Sequence, residues 1–268
     1  PVLAHIHLHN YNPIRARPIR MAPDRAKVVA DEIRKLEAQG VVERDNSSSW
    51  RSPVMAIPKP NGKGYRVVID LRNLNSRTIN YASITTTVPD VMQNLGMSLD
   101  DDEVQPNQVR TINGVEYVGK IKPRVFTALD LVSGYHELTL DVQSRHLTAF
   151  AVPNGPLMRY CRLPQGWVNA PAVFQQIVCS LLSEIYEGPG RHKNMPALHH
   201  WAEAFLDDLC TVAAGYYEAH HQLNWLLPLM SKRGFSLSAV KAEIMMTEIA
   251  LLGFLVSETG FRPNEAKA

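Results

Sequence analysis

The 268-residue sequence predicts an α+β protein. Helical and strand-like stretches follow one another without the regular strand–helix–strand alternation of a parallel sheet. Apolar residues recur at helical spacing in "PDRAKVVADEIRKLEAQG" and "NAPAVFQQIVCSLLSEIYEG", while short β-rich runs are joined by turn residues at several places. At 45% hydrophobic, the chain suffices for one large core or two smaller ones.

Taken in order, His5, His7 and His9 alternate as on one face of a strand, which suits a structural role better than a metal site. The first helix is expected to be capped by Asp24, to bury Val29, Ile33 and Leu36, and to stop at Gly40. "SPVMAIPKPNGKGYRVVIDL" predicts a hairpin with a basic tip around Pro60-Asn61-Gly62. "SLDDDEVQPNQ" reads as an exposed acidic loop, and "VRTINGVEYV" as a short hairpin turning at Asn113-Gly114. "RVFTALDLVSGYHELTL" reads as a strand, a turn at Ser133-Gly134 and further ordered chain. The second helix is expected to be capped by Asn169, with Phe174, Ile177, Val178, Leu181, Leu182 and Ile185 on one face, and to end at Gly188. Residues 188–200 look loop-like. "EAFLDDLCTVAA" predicts two strands joined at the Asp pair, "YYEAHHQLNWLLPLMSKRG" a helix kinked at Pro228, and "IALLGFLVSETGFRP" a closing hairpin.

No run of about 18 apolar residues exists, so no membrane span is expected. The start lacks the layout of a signal peptide and an initiator Met, which suggests a piece of something longer. Cys161, Cys179 and Cys210 are spaced for neither a zinc knuckle nor a disulfide framework and suggest a reducing, intracellular, cytoplasmic setting. Residues 1–77 carry 14 Lys and Arg against 7 Asp and Glu; the rest carry 14 against 19. That asymmetry suggests a polyanion grip beside an acidic metal site, with an ordinary solvated surface as the rival reading.

Asp130 ends the apolar run "VFTALD", and Asp207-Asp208 interrupt another, "AFLDDLC". Unpaired carboxylates among apolar flanks are costly. Divalent cations with oxygen ligands would offset the repulsion, and two such ions about 4 Å apart would clamp an attacking hydroxyl and a leaving pyrophosphate. An exposed hairpin turn is the alternative that "FLDD" alone leaves open.

"FTALDLVSGYHEL", "LPQGWVNAPAVFQ" and "AFLDDL", in this order, resemble the palm motifs of reverse transcriptases, above all those of gypsy-type LTR retrotransposons and retroviruses. "HIHLHNYNPIRARPIRMAP" resembles the polyprotein stretch that joins protease to polymerase, "RSPVMAIPKPNGKGYRVVIDLRNLN" the fingers hairpin, "GFSLSAVKAEI" a later palm motif and "LLGFLVSETGFRP" the primer grip. The resemblance spans nearly the whole chain. It implies a right-hand polymerase fold, with fingers over 1–82 (linker-like segment 1–22), palm with remaining fingers segments over 83–268, an insertion at 98–124, and no thumb.

By the same resemblance, Asp130, Asp207, Asp208 and the Leu131 carbonyl would be metal ligands for two Mg²⁺ ions, with Mn²⁺ as a possible substitute. Lys59 and Arg66 would grip the incoming triphosphate, Gln165 and Gly166 would border the nucleotide, Tyr135 would be the steric gate under the sugar, and Lys241 the general acid. The implied activity is RNA-directed DNA polymerisation, with an RNA or DNA template, a primer and deoxynucleoside triphosphates as partners. Virus-like particles and further polyprotein domains (thumb, ribonuclease H, protease, integrase) are the implied context. The chain departs from the family pattern in having Phe205 for the usual Tyr, long segments at 98–124 and 188–200, and Pro228 within a helix; it stops at "RPNEAKA", where a thumb would begin. A co-opted, non-catalytic nucleic-acid-binding or structural module and an RNA-dependent RNA polymerase are the alternatives.

Overall fold

The computed structural model describes residues 3–59, 62, 64–81, 88–91, 109–112, 115–118, 124–132, 134–187 and 201–265. The chain forms two compact units, one of residues 1–83 and 135–174, the other of 84–134 and 175–268. Helices and antiparallel sheets are mixed in both, as an α+β composition requires.

In the first unit, helix Pro23–Ala38 buries Val29 and Ile33. Its cap differs from the expectation. Ala22 is the N-cap, Pro23 fills the first helical position, and Asp24 lies in the first turn, where its charge favours the helix dipole without a capping bond. Gly40 ends the helix in the left-handed conformation, φ 68°. The hairpin Val54–Pro58/Tyr65–Ile69 is antiparallel as predicted, and Pro60, Asn61 and Lys63 of its tip lie outside the described residues. A second sheet sets Leu157–Tyr160 between Val42–Arg44 and Phe150–Ala151. The N-terminal histidines are exposed while Ala4, Ile6 and Leu8 are buried, the alternation of a half-covered strand.

The second unit is built on a four-stranded antiparallel sheet. Its strands are β1 (Val125–Asp130), β2 (Ala202–Phe205), β3 (Asp208–Ala213) and β4 (Glu243–Met246), in the order β2-β3-β1-β4. Successive residues of β1 point to opposite faces. Phe126 packs with Cys210, Val212, Ile249, Leu251 and Val256, whereas Val125 packs with Ala213 and Ala219. The first of these faces is covered by strands Glu248–Leu251 and Phe254–Ser257, with the exposed strand Gly260–Pro263 paired to the second of them. These form a three-stranded meander where a single hairpin was expected, because a second turn follows Ser257.

Helix α1 (Ala170–Glu187) buries Phe174, Val178, Leu181 and Leu182 as expected. Asn169 takes the N-cap position, its carbonyl accepting from Val173 N–H at 2.9 Å, but its side chain does not turn to the helix. Its side chain instead donates to the Ile79 carbonyl at 2.8 Å and accepts from Tyr81 N–H at 3.3 Å, so a distant loop takes both amide groups. Helix α2 (Tyr216–Lys232) continues through Pro228. Pro228 and Asn224 are both exposed, so the Asn224 carbonyl left without a helical donor faces water. Residues 98–108, Ser133 and 188–200 lie outside the described residues.

Within the 98–124 segment, Val109–Ile112 and Val115–Val118 pair with each other in a separate two-stranded sheet. Excising 109–118 should therefore shift the melting temperature by no more than about 2 °C, the scale of a change outside the core. Loss of the cooperative thermal transition in circular dichroism would place this hairpin in the core.

Candidate active site

The acidic residues come together because two antiparallel strands end side by side. β1 and β3 pair in the register Asp130↔Asp208, with Leu129↔Leu209 and Ala128↔Cys210 behind them. Asp130 and Asp208 thus close one row of side chains. Leu131 N–H donates to the Asp207 carbonyl at 2.9 Å, which extends the pairing past the strand end. On the other side, Ser238 N–H donates to the Asp130 carbonyl at 2.8 Å.

Asp207 sits in the two-residue turn Leu206-Asp207 between β2 and β3. Leu206 has φ 53°, while Asp207 has no positive φ. These are the signs of a type II′ turn, whose first central position normally takes Gly. A leucine held there stores on the order of 1–2 kcal/mol of backbone strain. What holds it is Gln175, buried on α1. Its Oε1 accepts from Leu206 N–H and its Nε2 donates to the Ala204 carbonyl, both at 2.7 Å. Sequence reasoning missed this residue. Its signal was a polar side chain within the buried arc of an otherwise apolar helix face.

Asp207 Oδ1 is buried without a hydrogen-bond donor. Burial first, then the neighbouring carboxylates of Asp130 and Asp208, push the Asp207 carboxyl above the usual carboxylate range; Lys241 pulls the other way. Lys241 Nζ stands 3.0 Å from both oxygens of Asp130. The Lys241 side chain is 66% exposed, so this pair is worth at most about 1 kcal/mol. Among the described residues, no three His, Cys, Asp or Glu side chains converge into a ready cation cage. The structure brings Asp130, Asp207 and Asp208 within electrostatic reach of each other, and the positive charge beside them is an ammonium. The orphaned, charge-crowded Asp207 oxygen is what a hard cation would answer, so the donor set fits a divalent ion.

The remaining predicted site residues lie in the first unit. Lys59 and Arg66 are exposed at the tip and on the second strand of the basic hairpin, with Lys59 N–H bonded to the Gly64 carbonyl at 3.0 Å. Gln165 is exposed. Gly166 has φ 94° and open space where a Cβ would stand, so its backbone can be approached closely. Asn75, also missed from sequence, fixes this turn: its Nδ2 donates to the Gly166 carbonyl at 2.9 Å and its Oδ1 accepts from Val168 N–H at 3.0 Å. Tyr135 stacks edge-on against Phe174, ring centroids 5.2 Å apart, and is half-buried.

Residues 57–256 match the family described as reverse transcriptase (RNA-dependent DNA polymerase). The chain is 28% identical over 264 residues to the retrovirus-related Pol polyprotein from transposon 297 of Drosophila melanogaster, covering 97% of this chain and 21% of that protein. It is 30% identical over 236 residues to the Pro-Pol polyprotein of simian foamy virus type 1, covering 87% and 16%. In fold it resembles the foamy viral protease-reverse transcriptase in complex with RNA/DNA hybrid, with a TM-score of 0.70, 21% identity, and coverage of 97% of this chain and 31% of that one. The chain thus spans about a fifth of the length of the transposon relative.

The raised Asp207 carboxyl sets a testable pH dependence. A group whose folded value lies above its unfolded one, here 3.8, stabilises the fold below that value and loses the contribution as pH rises through the folded value. Without divalent ions, Asp207→Asn should therefore melt higher than the parent at neutral pH, by up to about 2–4 °C after allowance for solvent screening. The difference should shrink as pH falls towards 3.8. Equal melting temperatures across that range, measured by differential scanning fluorimetry, would mean that Asp207 carries no repulsion.

Proposed function

This chain belongs to the reverse transcriptase family, and from that premise we propose that it transfers deoxynucleotides to a primer 3′-hydroxyl under the direction of an RNA or DNA template. The observation that carries the reading is the registered pair Asp130 and Asp208 beside the unsatisfied Asp207 oxygen, within a chain that matches the family over residues 57–256. The first unit supplies the fingers and the second the palm.

Asp130, Asp207 and the Leu131 carbonyl would hold Mg²⁺, with Asp208 in a less direct role and Mn²⁺ as a substitute. Two such ions, when bound, activate the primer hydroxyl and neutralise the departing pyrophosphate. The chain's own residues do the rest. Lys59 and Arg66 bind the triphosphate through charge-assisted hydrogen bonds. Gly166, with no side chain in the way, admits the nucleotide against its backbone, and Gln165 borders it. Tyr135, braced by Phe174, closes the space below the sugar C2′. Lys241, once released from Asp130, is free to donate a proton to the pyrophosphate oxygen.

Primer extension on an RNA template with deoxynucleotides and Mg²⁺ tests the reading. Asp130→Asn should lower incorporation at least about 10²-fold, the scale of removing a charge that stabilises the transition state. Template binding without incorporation, in the parent as in the variant, would instead make the chain a co-opted nucleic-acid-binding module.

Sugar choice gives a second measurement. Tyr135→Val should raise ribonucleotide use relative to deoxynucleotide use by about tenfold or more, because rejection by a clash disappears with the ring. The ratio of kcat/KM for the two sugars in single-nucleotide extension reads this out. An unchanged ratio would leave Tyr135 a packing residue.

A further inference from the structure

In the second unit, the first two turns of α2 are fastened to the end of β3 by two buried side chains. Glu218 Oε2 accepts from Ala214 N–H at 2.7 Å, just past the strand, and Gln222 Nε2 donates to the Val212 carbonyl at 2.9 Å. The two residues stand one turn apart on the same face of the helix. Glu218 is 4% exposed and Gln222 1%. Each keeps one further polar atom, Glu218 Oε1 and Gln222 Oε1, and both of these are buried without a hydrogen-bond partner.

Turning the Gln222 amide over does not resolve this, because its oxygen would then meet the Val212 carbonyl; the bond to Val212 fixes which end is nitrogen. With Glu218 ionised, both orphaned atoms are acceptors and neither can answer the other. An ionised Glu218 would also be a buried charge held by one N–H, since among the described residues no Lys, Arg or His pairs with it. Such burial is costly. One hydrogen on Glu218 Oε1 removes both faults. It neutralises the carboxyl and gives Gln222 Oε1 a donor.

No neighbouring charge competes for that role. Helix α2 packs on β1, β3 and β4, whose charged or titratable groups, with the residue before β1, are Arg124, Asp130, Asp208, Cys210 and Glu243. On the helix itself Tyr217 and His220 are exposed, and His221 packs edge-on against Tyr217. None of these acts on Glu218. Burial holds its carboxyl above the usual carboxylate range, and the Ala214 N–H alone opposes this.

We propose that Glu218 is a proton-held latch: at neutral pH its Oε1 carries a hydrogen and donates it to Gln222 Oε1, which ties α2 to the end of β3 far from Asp208. Loss of the proton at higher pH sets two acceptors against each other and loosens that end of the strand. The latch stands independently of the polymerase reading.

Infrared difference spectroscopy of the full 268-residue chain against its Glu218→Gln variant, at neutral pH, tests the proton. A Gln amide at 218 can accept from Ala214 N–H and donate to Gln222 Oε1, so this variant keeps both bonds. The parent should show a protonated-carboxyl C=O band that the variant lacks; Asp207 is present in both and cancels. In Gln222→Leu, or in Gln222→Met if the first does not fold, the band should move to higher frequency, as for a carboxyl that has lost its acceptor. Thermal melting supplies the sign. A folded value above the unfolded one, here 4.5, gives stability that is fully present below 4.5 and lost as pH rises through the folded value. The parent should therefore melt nearly level with Glu218→Gln at pH 4.5 and fall behind it by about 2–4 °C for each pH unit above, until the folded value is passed. Absence of the band in the parent would overturn the proposal, as would a band unmoved by the Gln222 variants or a melting difference that does not vary with pH.

Discussion

Everything in the second unit answers to one constraint: like charges must be fixed side by side at the edge of an apolar sheet. The antiparallel register that puts Asp130 opposite Asp208 does the fixing, and it can do so because Leu129, Leu209, Cys210 and Val212 behind the acids are all buried. Coulomb repulsion at the strand ends is opposed by core packing a few residues away. The Lys241 ammonium softens the repulsion but is too exposed to cancel it, and Asp207 is left above its normal protonation range. The crowded acids therefore cost the fold stability, and Lys241 offsets only part of that cost.

The two units treat charge in opposite ways. In the second, the carboxylates of Asp130, Asp207 and Asp208 are crowded together at one strand end. In the first, Arg34, Arg44, Arg72 and Arg159 are each answered by a nearby acid. The uneven charge visible between residues 1–77 and the rest of the chain is the coarse trace of this division of labour. Net charge of +2 hides it entirely.

Much of this was legible in the sequence because it is written in local patterns. The hairpin that carries Lys59, the Asp207 turn and the apolar arc of Phe174 and Val178 all follow from spacing and turn residues. What was not legible is long-range. Asn169 looks like a cap until a loop some 90 residues earlier in the chain takes its amide. Gln175 is a polar residue without a visible partner on an apolar helix face until the strand it supports arrives 29 residues later. Asp24 was displaced as a cap by a neighbour, Pro23, whose fixed φ suits the first helical position. The grouping of residues 135–174 with 1–83 is likewise a matter of tertiary packing on which periodicity is silent.

The left-handed leucine at 206 makes that turn sensitive to the side chain it carries. Glycine or asparagine would relax the turn, since both accept positive φ readily. Valine or isoleucine, branched at Cβ, would resist it and tilt the next peptide, which carries Asp207. A change at this one side chain can thus alter how the turn presents Asp207, with every acidic residue still in place.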